Sequence, residues 1–527
     1  MKKILLICTL LCMMVQTAWA ADLSKLIILH TNDTHGYDQR AKGINGMATV
    51  AALKKDLEAE GKSVLLVDAG DAIQDNNLVN FSQGKSAIAF MNACGYDVMT
   101  LGNHEFDYGQ DVTLKRVAEA KFPIVAANIL VQATGKTFVP SHTIITKNNI
   151  KIGVFGLSTP ETKVSTNPKN VLGLNFLAGQ ELYTCAQQQA DYLRSHGCDV
   201  VVALTHLGSS PANLGFRSDD IAAHTKGIDI IIDGHDHQEK NIYVGSTLIA
   251  ETGYYTHNIG KISWNGQSWH SELLPYAEGR REEPKVQKLI ACAADQVQKK
   301  LSRKIGRSDV LLDGTRAPGV RTKETNLGDF IADAFLWQAT QAQVFSTKVD
   351  AAIINGGSLR YSLPKGVITK GTIQQILPYN NQLYVMKLKG STILEVLAST
   401  TCISPSALGA FPQVSGIKFV IHSSVPYTKG KQYYNSEYFA PLHPEERITI
   451  TEIAGAPYDA HKYYYVAMTD FQCNGGDAYG ALQPLAAEAA QSIGYIDVMA
   501  VENYLKSVLG GNIGANYAEP AGRIIYQ

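Results

Sequence analysis

Leu101-Gly102-Asn103-His104-Glu105-Phe106-Asp107 follows directly on the apolar run Val98-Met99-Thr100. The run has the length and composition of a buried strand, and an ordinary turn after it needs only Gly or Asn. An amide, an imidazole and two carboxylates crowded between positions 103 and 107 point instead to chemistry. Other apolar runs in the first half of the chain end in polar residues of the same kind, and that repetition decides the fold.

Upstream, the run 26–29 leads to Asp33 and His35. Side chains two apart in extended chain share a face, so a carboxylate and an imidazole can meet at one metal, although alone the pair is an ordinary loop sequence. The run 64–67 leads to Asp68-Ala69-Gly70-Asp71. A carboxylate in a Gly-bearing turn is free to bridge two cations, although an isolated one is more often a turn residue. Downstream, 152–157 ends in Ser158-Thr159-Pro160 with no ligand candidate, 200–204 ends in Thr205-His206, and 228–232 ends in Asp233-Gly234-His235-Asp236-His237. Asp33, His35, Asp71, Asn103, His206, His235 and His237 thus all lie past the carboxyl ends of apolar runs, where open α/β folds place their ligand crevices. Imidazole, carboxylate and amide oxygen without thiolate suit Zn²⁺, Mn²⁺, Fe²⁺ or Co²⁺, not Ca²⁺ or an iron–sulfur cluster. The set exceeds the needs of one four-coordinate ion, so a two-metal hydrolytic site with a carboxylate bridge is expected. If Asn103 serves a metal, His104 and Asp107 are left for another task. An imidazole oriented by a carboxylate can stabilise or protonate a leaving oxygen. Glu105 reads as structural.

At 527 residues the chain exceeds one hydrophobic core and predicts two or three domains. With 47 basic and 48 acidic residues it has no charge excess that would call for nucleic acid or an anionic membrane as partner. Lys2 and Lys3, the apolar run 4–15 and Ala18-Trp19-Ala20 predict a secretory signal cleaved after Ala20. The run is too short for a comfortable membrane span, so no stable membrane anchor is expected and the mature chain is placed in the periplasm or outside the cell. Cys94, Cys185, Cys198, Cys292, Cys402 and Cys473 permit disulfides without forming a disulfide framework, and no Cys-x-x-Cys offers a thiolate zinc site.

In the second half, Val286, Leu289, Ile290, Ala293 and Val297 recur on one helical face, predicting a linker helix over 284–305. A second domain, 306–527, follows the first, 21–283. Its helix from Asn326, the expected cap, carries an apolar set at 327, 330, 331, 334 and 335. The run 351–354 enters Asn355-Gly356-Gly357-Ser358-Leu359-Arg360, where glycines allow close backbone approach and an arginine can clamp phosphate, although a plain Gly-rich turn reads the same way. Tyr379, after Leu377-Pro378, and Phe471, ahead of Asn474-Gly475-Gly476-Asp477, are either core aromatics or two rings that hold a flat base.

Asp-x-His, Gly-Asp, Gly-Asn-His-Glu, a distant His and Gly-His-x-His, in this order over roughly 25–260, resemble the calcineurin-like metallophosphoesterases. The motifs 324–328, 355–360, 377–379 and 471–477 behind them resemble the carboxy-terminal domain of 5'-nucleotidases, which include animal ecto-5'-nucleotidases and bacterial periplasmic 5'-nucleotidase/UDP-sugar hydrolases. The resemblance covers essentially the whole mature chain. It implies an α/β protein: a four-layer αββα sandwich, a linker helix and a smaller α/β substrate-binding domain. It implies one divalent metal, Zn, Mn or Co, at Asp33, His35, Asp71 and His237, and a second at Asp71, Asn103, His206 and His235, with His104 and Asp107 as the catalytic pair. It makes Tyr379 and Phe471 the base sandwich, Asp477 the ribose acceptor, Asn355 a base contact, and Arg360 and Arg321 the phosphate clamp, with Arg316 able to replace Arg321. Relatives usually have Phe at position 379, and some carry Gln at position 237. The activity implied is removal of the 5'-phosphate from small-molecule nucleotides, with domain rotation about the linker helix. A 2',3'-cyclic nucleotide phosphodiesterase with 3'-nucleotidase activity or a UDP-sugar pyrophosphohydrolase on the same framework is the nearer alternative, and a silent nucleotide-binding or adhesive protein the farther one. Base preference and oligomeric state are not encoded in these motifs.

Overall fold

The computed structural model describes residues 22–527 except 167, 210–214, 344, 346 and 347; the expected secretory signal lies outside the described residues. The first half builds two six-stranded sheets. In chain order the strands are β1 (Leu26–Thr31), β2 (Ser63–Asp68), β3 (Val98–Thr100), β4 (Ile124–Val125), β5 (His142–Lys147), β6 (Ile150–Ser158), β7 (Val200–His206), β8 (Ile230–Ile232), β9 (Glu239–Val244), β10 (Thr247–Thr252), β11 (Asn258–Trp264) and β12 (Trp269–Pro275). One sheet runs β12-β11-β1-β2-β3-β4 and the other β9-β10-β8-β7-β6-β5. β1 to β4 are parallel, as are β6, β7, β8 and β10; antiparallel strands form the other three edges, while β4 is a parallel edge strand.

The period of two explains why the central runs are apolar throughout. Leu26 and Ile28 of β1, with Leu65 and Val67 of β2, meet Ile152, Val154, Val200, Val202 and Ile230 of the opposite sheet in one core. Their neighbours Ile27, Leu29, Val64 and Leu66 face the other way, onto α1 (Met47–Ala59) and α2 (Lys85–Cys94). On the far side Phe155, Val201 and Ala203 pack under Leu182, Ala186 and Leu193 of α3 (Gly179–Ser195). The layers are therefore helix, sheet, sheet, helix.

The linker helix α4 spans Pro284–Leu301, begun by Pro284 and by the Glu283 side chain, which accepts from Val286 N–H. It ends short of the expected residue 305, because Lys304–Ser308 pairs as a strand with Gly366–Thr369 and Asn512–Ile513. Val286 and Ile290 join the core beneath α1 and α2, so the helix is seated on the first half along its apolar face. In the second half α5 (Asn326–Ala342) is capped by Thr325, whose side chain accepts from Gly328 N–H, one residue earlier than expected. The Asn326 amide instead donates to the carbonyls of Leu311 and Tyr517 and accepts from Asp313 N–H, tying three segments together. A five-stranded sheet contains β13 (Ala351–Asn355), β14 (Gln382–Lys389), β15 (Pro412–Ser415), β16 (Tyr463–Thr469) and β17 (Ala490–Ile496), in the order β15-β13-β16-β14-β17. Ala352, Ile354, Val385 and Ala467 pack on α5, and Ala351, Ile353, Met386 and Val466 face the opposite core.

Among the described residues no sheet mixes strands from the two halves, and no helix is long and apolar enough to cross a membrane. The six described cysteines, including the close pair Cys185 and Cys198, are free thiols.

Candidate dimetal active site

The turns after β1, β2 and β8 carry the candidate ligands on strained backbone. Asp33, His35, Asp71, His235 and His237 have φ of 47°, 48°, 59°, 98° and 61°, a region that L residues enter only when their surroundings over-determine it. The surroundings do so here. Asp33 N–H donates to the Gly70 carbonyl at 3.0 Å and His35 N–H to the Asp71 carbonyl at 2.9 Å. The Glu105 carboxylate accepts from the N–H groups of Asp71, Ala72 and Gly102 at 2.8, 2.8 and 2.6 Å, which locks the β2 turn to the β3 turn. Glu105 is structural, as expected. Burial, followed by the nearby Asp71 charge, pushes its carboxyl up to about 7. A Cβ on Gly70 would meet Gly102 N at 2.6 Å, so the two turns touch only because that residue is glycine.

These turns bring all seven candidate ligands together. His206 Nε2 is 3.0 Å from Asp71 Oδ2, and His35 Nε2 lies 3.8 Å from both Asp33 Oδ1 and Asp71 Oδ2. His237 Nε2 is 3.4 Å from Asp33 Oδ1 and 3.3 Å from His35 Nε2, while His235 Nδ1 is 3.0 Å from Asn103 Oδ1. The close sets are Asp33, His35, His237 and Asp33, Asp71, His206, so Asp33 belongs to both and Asp71 stands between His35 and His206. The donors fit divalent cations. His206 Nδ1–H donates to the Ala69 carbonyl at 2.7 Å, which turns its buried Nε2 toward two carboxylates, 3.0 Å from Asp71 Oδ2 and 3.9 Å from Asp33 Oδ1. Burial raises the Asp71 carboxyl, but His206, His104 and His35 outweigh it and hold the group well below its ordinary range. Asp33 is lowered in the same way by His206 and His237.

His104 begins a single 3₁₀ turn, His104–Phe106, and Asp107 Oδ2 accepts from its Nδ1 at 2.6 Å. Asp107 therefore keeps the proton on Nδ1 and fixes the ring plane. Burial lowers the His104 imidazolium, but Asp107 and Asp71 outweigh it, and the net shift is upward. His104 N–H donates to Asp71 Oδ1 at 2.9 Å, so the pair is joined directly to the ligand cluster.

A cavity of about 1010 Å³ opens over this centre and is lined by both halves of the chain. From the second half come Arg316, Arg321, Asn355, Arg360, Tyr379, Phe471 and Asp477. Arg360 pairs with Asp75 at 3.4 Å and its guanidinium lies 6.0 Å from the Tyr379 ring centroid. The Tyr379 ring in turn lies nearly parallel to that of His104, with centroids 6.0 Å apart. Arg316 Nη1 is 3.2 Å from His237 Nδ1, and Arg321 lies beside Asp477, half-buried, with its Nε buried and unpartnered. Burial, then the positive Arg316 and Arg360, push the Arg321 guanidinium down to about 9. Asn355 Nδ2 donates to Asp477 Oδ2 at 3.3 Å, and Ser358 Oγ donates to Asn355 Oδ1 at 2.6 Å. Burial raises the Asp477 carboxyl to about 6, against the opposing pull of Arg321. Phe471 sits in the one-turn helix Asp470–Cys473 and packs on Gly476.

The sequence reading missed Asp75, Glu161 and Tyr438. Asp75 follows the β2 turn by only four residues, but its partner is 285 positions away. Glu161 lies three residues past β6, and its Oε2 is 2.9 Å from His235 Nε2; its signal was position after a buried strand, obscured by an inert Ser-Thr-Pro. Tyr438 reaches the cavity from the hairpin Lys429–Gln432 and Phe439–Pro441, for which the sequence offered no motif.

Comparison with known proteins agrees with this geometry. Residues 26–239 match the family described as calcineurin-like phosphoesterase, and residues 304–484 match the 5'-nucleotidase C-terminal domain. The chain is 29% identical over 92% of its length to a trifunctional nucleotide phosphoesterase of Bacillus subtilis, and spans about a third (34%) of the length of that relative. It is 28% identical to a snake venom 5'-nucleotidase of Naja atra, over 95% of this chain and 98% of the relative. The crystal structure of a 5'-nucleotidase precursor from Thermus thermophilus superposes with a TM-score of 0.78 at 26% identity, covering 95% of this chain and 99% of that one.

Proposed function

This chain belongs to the family that joins a calcineurin-like phosphoesterase domain to a 5'-nucleotidase C-terminal domain, and we propose that it is an exported, metal-dependent hydrolase that removes the 5'-phosphate from nucleotides. The observation that carries the reading is a single cavity that has four of the candidate ligands, Asp71, Asn103, His235 and His237, with His104 and Asp107 on one wall, and arginines, aromatics and Asp477 on the other, while Asp33, His35 and His206 lie buried against those ligands. Asp33, His35, Asp71 and His237 would hold one divalent ion, and Asp71, Asn103, His206 and His235 the other, with Zn, Mn or Co the metals that suit these donors. Two such ions, when bound, supply a nucleophile at neutral pH and offset phosphoryl charge.

The chain's own residues then divide the remaining work. Arg316 and Arg360 face the phosphate end of the cavity and neutralise the substrate's charge, with Arg321 beside them. His104, its Nδ1 proton held by Asp107, directs Nε2 to the departing ribose oxygen and donates the proton that oxygen needs. Tyr379 and Phe471 offer ring faces to the base, Asn355 a hydrogen bond to it, and Asp477 an acceptor for ribose hydroxyls. Periplasmic or extracellular residence follows from the leader read in the sequence.

The test is phosphate release by the mature protein with added Mn²⁺ or Zn²⁺ from 5'-AMP, 3'-AMP, 2',3'-cyclic AMP, ATP and UDP-glucose. Preference for 5'-AMP is expected. Preference for the cyclic or 3' substrates would show that the pocket presents a different phosphate to the same centre, and no release from any substrate would leave only a binding role.

A further inference from the structure

β6 ends in Ser158-Thr159-Pro160, where the sequence offered no ligand, and the structure places a carboxylate just beyond it. Glu161 stands at the head of the one-turn helix Thr162–Ser165, and its carbonyl accepts from the N–H groups of Val164 and Ser165 at 2.8 Å each. Its side chain turns into the cavity, and Oε2 stops 2.9 Å from His235 Nε2. The other ring nitrogen of His235, Nδ1, is 3.0 Å from Asn103 Oδ1. A neutral imidazole has one N–H to share between these two acceptors. A bond to an ionised carboxylate is roughly twice as strong as one to a neutral amide, so the proton belongs on Nε2, toward Glu161. The side chains of His235 and Glu161 are only 14% and 17% exposed, which limits competition from water. Nδ1 then points its lone pair at the Asn103 oxygen, two acceptors face to face. A cation bound by both relieves that arrangement.

We propose that Glu161 is a positioning residue that fixes the tautomer and plane of His235, so that Nδ1 and the Asn103 oxygen act together as ligands of one ion. The inference rests on the reading of His235 as a ligand. The second half of the chain holds the same loop in place: Asp477 N–H donates to the Val164 carbonyl at 2.8 Å, and Lys163 Nζ is 3.7 Å from Glu437 Oε1. Glu161 is thereby seated by the elements that line the nucleoside end of the cavity.

Calorimetric titration of the metal-stripped full chain with Mn²⁺ alone tests this, with Glu161→Ala and Glu161→Gln beside the wild type and the melting temperature of each metal-free protein measured in parallel. The wild type is expected to take up two ions per chain. Glu161→Ala should bind one of the two more weakly by about 10- to 100-fold, the usual effect of removing the partner of a ligating histidine, with the other ion and the metal-free melting temperature unchanged. Glu161→Gln, which keeps a neutral acceptor, should fall between. Two ions in the wild type with unchanged affinities in Glu161→Ala would overturn the inference alone. So would equal weakening of both sites together with a lower metal-free melting temperature, because that marks a merely structural role. A wild type that binds no ion would overturn both this inference and the dimetal reading beneath it.

Discussion

Gly476→Ala separates base binding from chemistry. The backbone at Gly476 lies outside the left-handed region, so alanine is tolerated there conformationally. The obstacle is the Phe471 ring: an added Cβ would sit 2.4, 2.5 and 2.7 Å from Cε2, Cζ and Cδ2, against the roughly 3.5–4.0 Å of normal carbon contact. The ring must therefore retreat by about 1 Å or more. Overpacking of this kind costs about 1–3 kcal/mol of stability. Loss of an aromatic stack costs a further ~0.5–1.5 kcal/mol of binding, which at 1.4 kcal/mol per decade is roughly a two- to twelve-fold fall in kcat/KM. The assay compares 5'-AMP with ribose 5-phosphate, which presents the same phosphate without a base. The fall should be confined to 5'-AMP and appear in KM. Equal losses on both substrates, or no loss on either, would refute the stacking role of Phe471.

Asp107→Asn should leave KM for 5'-AMP little changed and lower kcat by roughly 10²–10⁴-fold, the range for a misdirected acid–base group; a loss within a few-fold would remove His104 from proton transfer. Arg360→Leu strands the Asp75 carboxylate, 5% exposed, with the Tyr255 hydroxyl as its remaining hydrogen bond, at a cost of about 3–5 kcal/mol in denaturant unfolding. Adding Asp75→Asn should recover part of that cost, whereas strictly additive losses would mean the pair does not join the two halves. His30 is buried with both ring nitrogens unpartnered, and burial lowers its pKa from 6.5 to about 3. The unfolded chain therefore binds the extra proton between those values, so the stability His30 permits is fully present above pH 6.5 and falls with pH down to about 3, by up to about 1.4 kcal/mol per pH unit. Unfolding midpoints followed from pH 7 to pH 4 should fall less steeply for His30→Leu, and parallel profiles would contradict this.

Much of the site was legible because both faces of its strands are buried. In Val200-Val201-Val202-Ala203-Leu204 every side chain packs into one of the two cores that flank the sheet, which makes the run apolar, so His206 at its end stands out. The same logic placed Asp33, Asp71, Asn103 and the His235–His237 pair. What escaped was determined by tertiary partners. Glu161 acquires its meaning from His235, 74 positions on, and Asp75 from Arg360. Asn326 was the expected cap, but Thr325 takes that place because the Asn326 side chain is used by loops near 312 and 517. Helix α4 stops at Leu301 because the chain beyond is needed in a sheet whose partner, Asn512–Ile513, lies near the carboxyl terminus. His30 sits on β1 between Leu29 and Thr31 and has no sequence signal at all.

The most direct test of the central claim is phosphate release from 5'-AMP by the chelator-stripped protein before and after Mn²⁺ is returned, with circular dichroism to show that the fold is retained and His104→Ala as control. The account predicts that stripping abolishes release without unfolding the chain, that Mn²⁺ restores it, and that His104→Ala stays slow with the metal present. Full activity in the stripped, metal-free protein, or equal activity in His104→Ala, would contradict it.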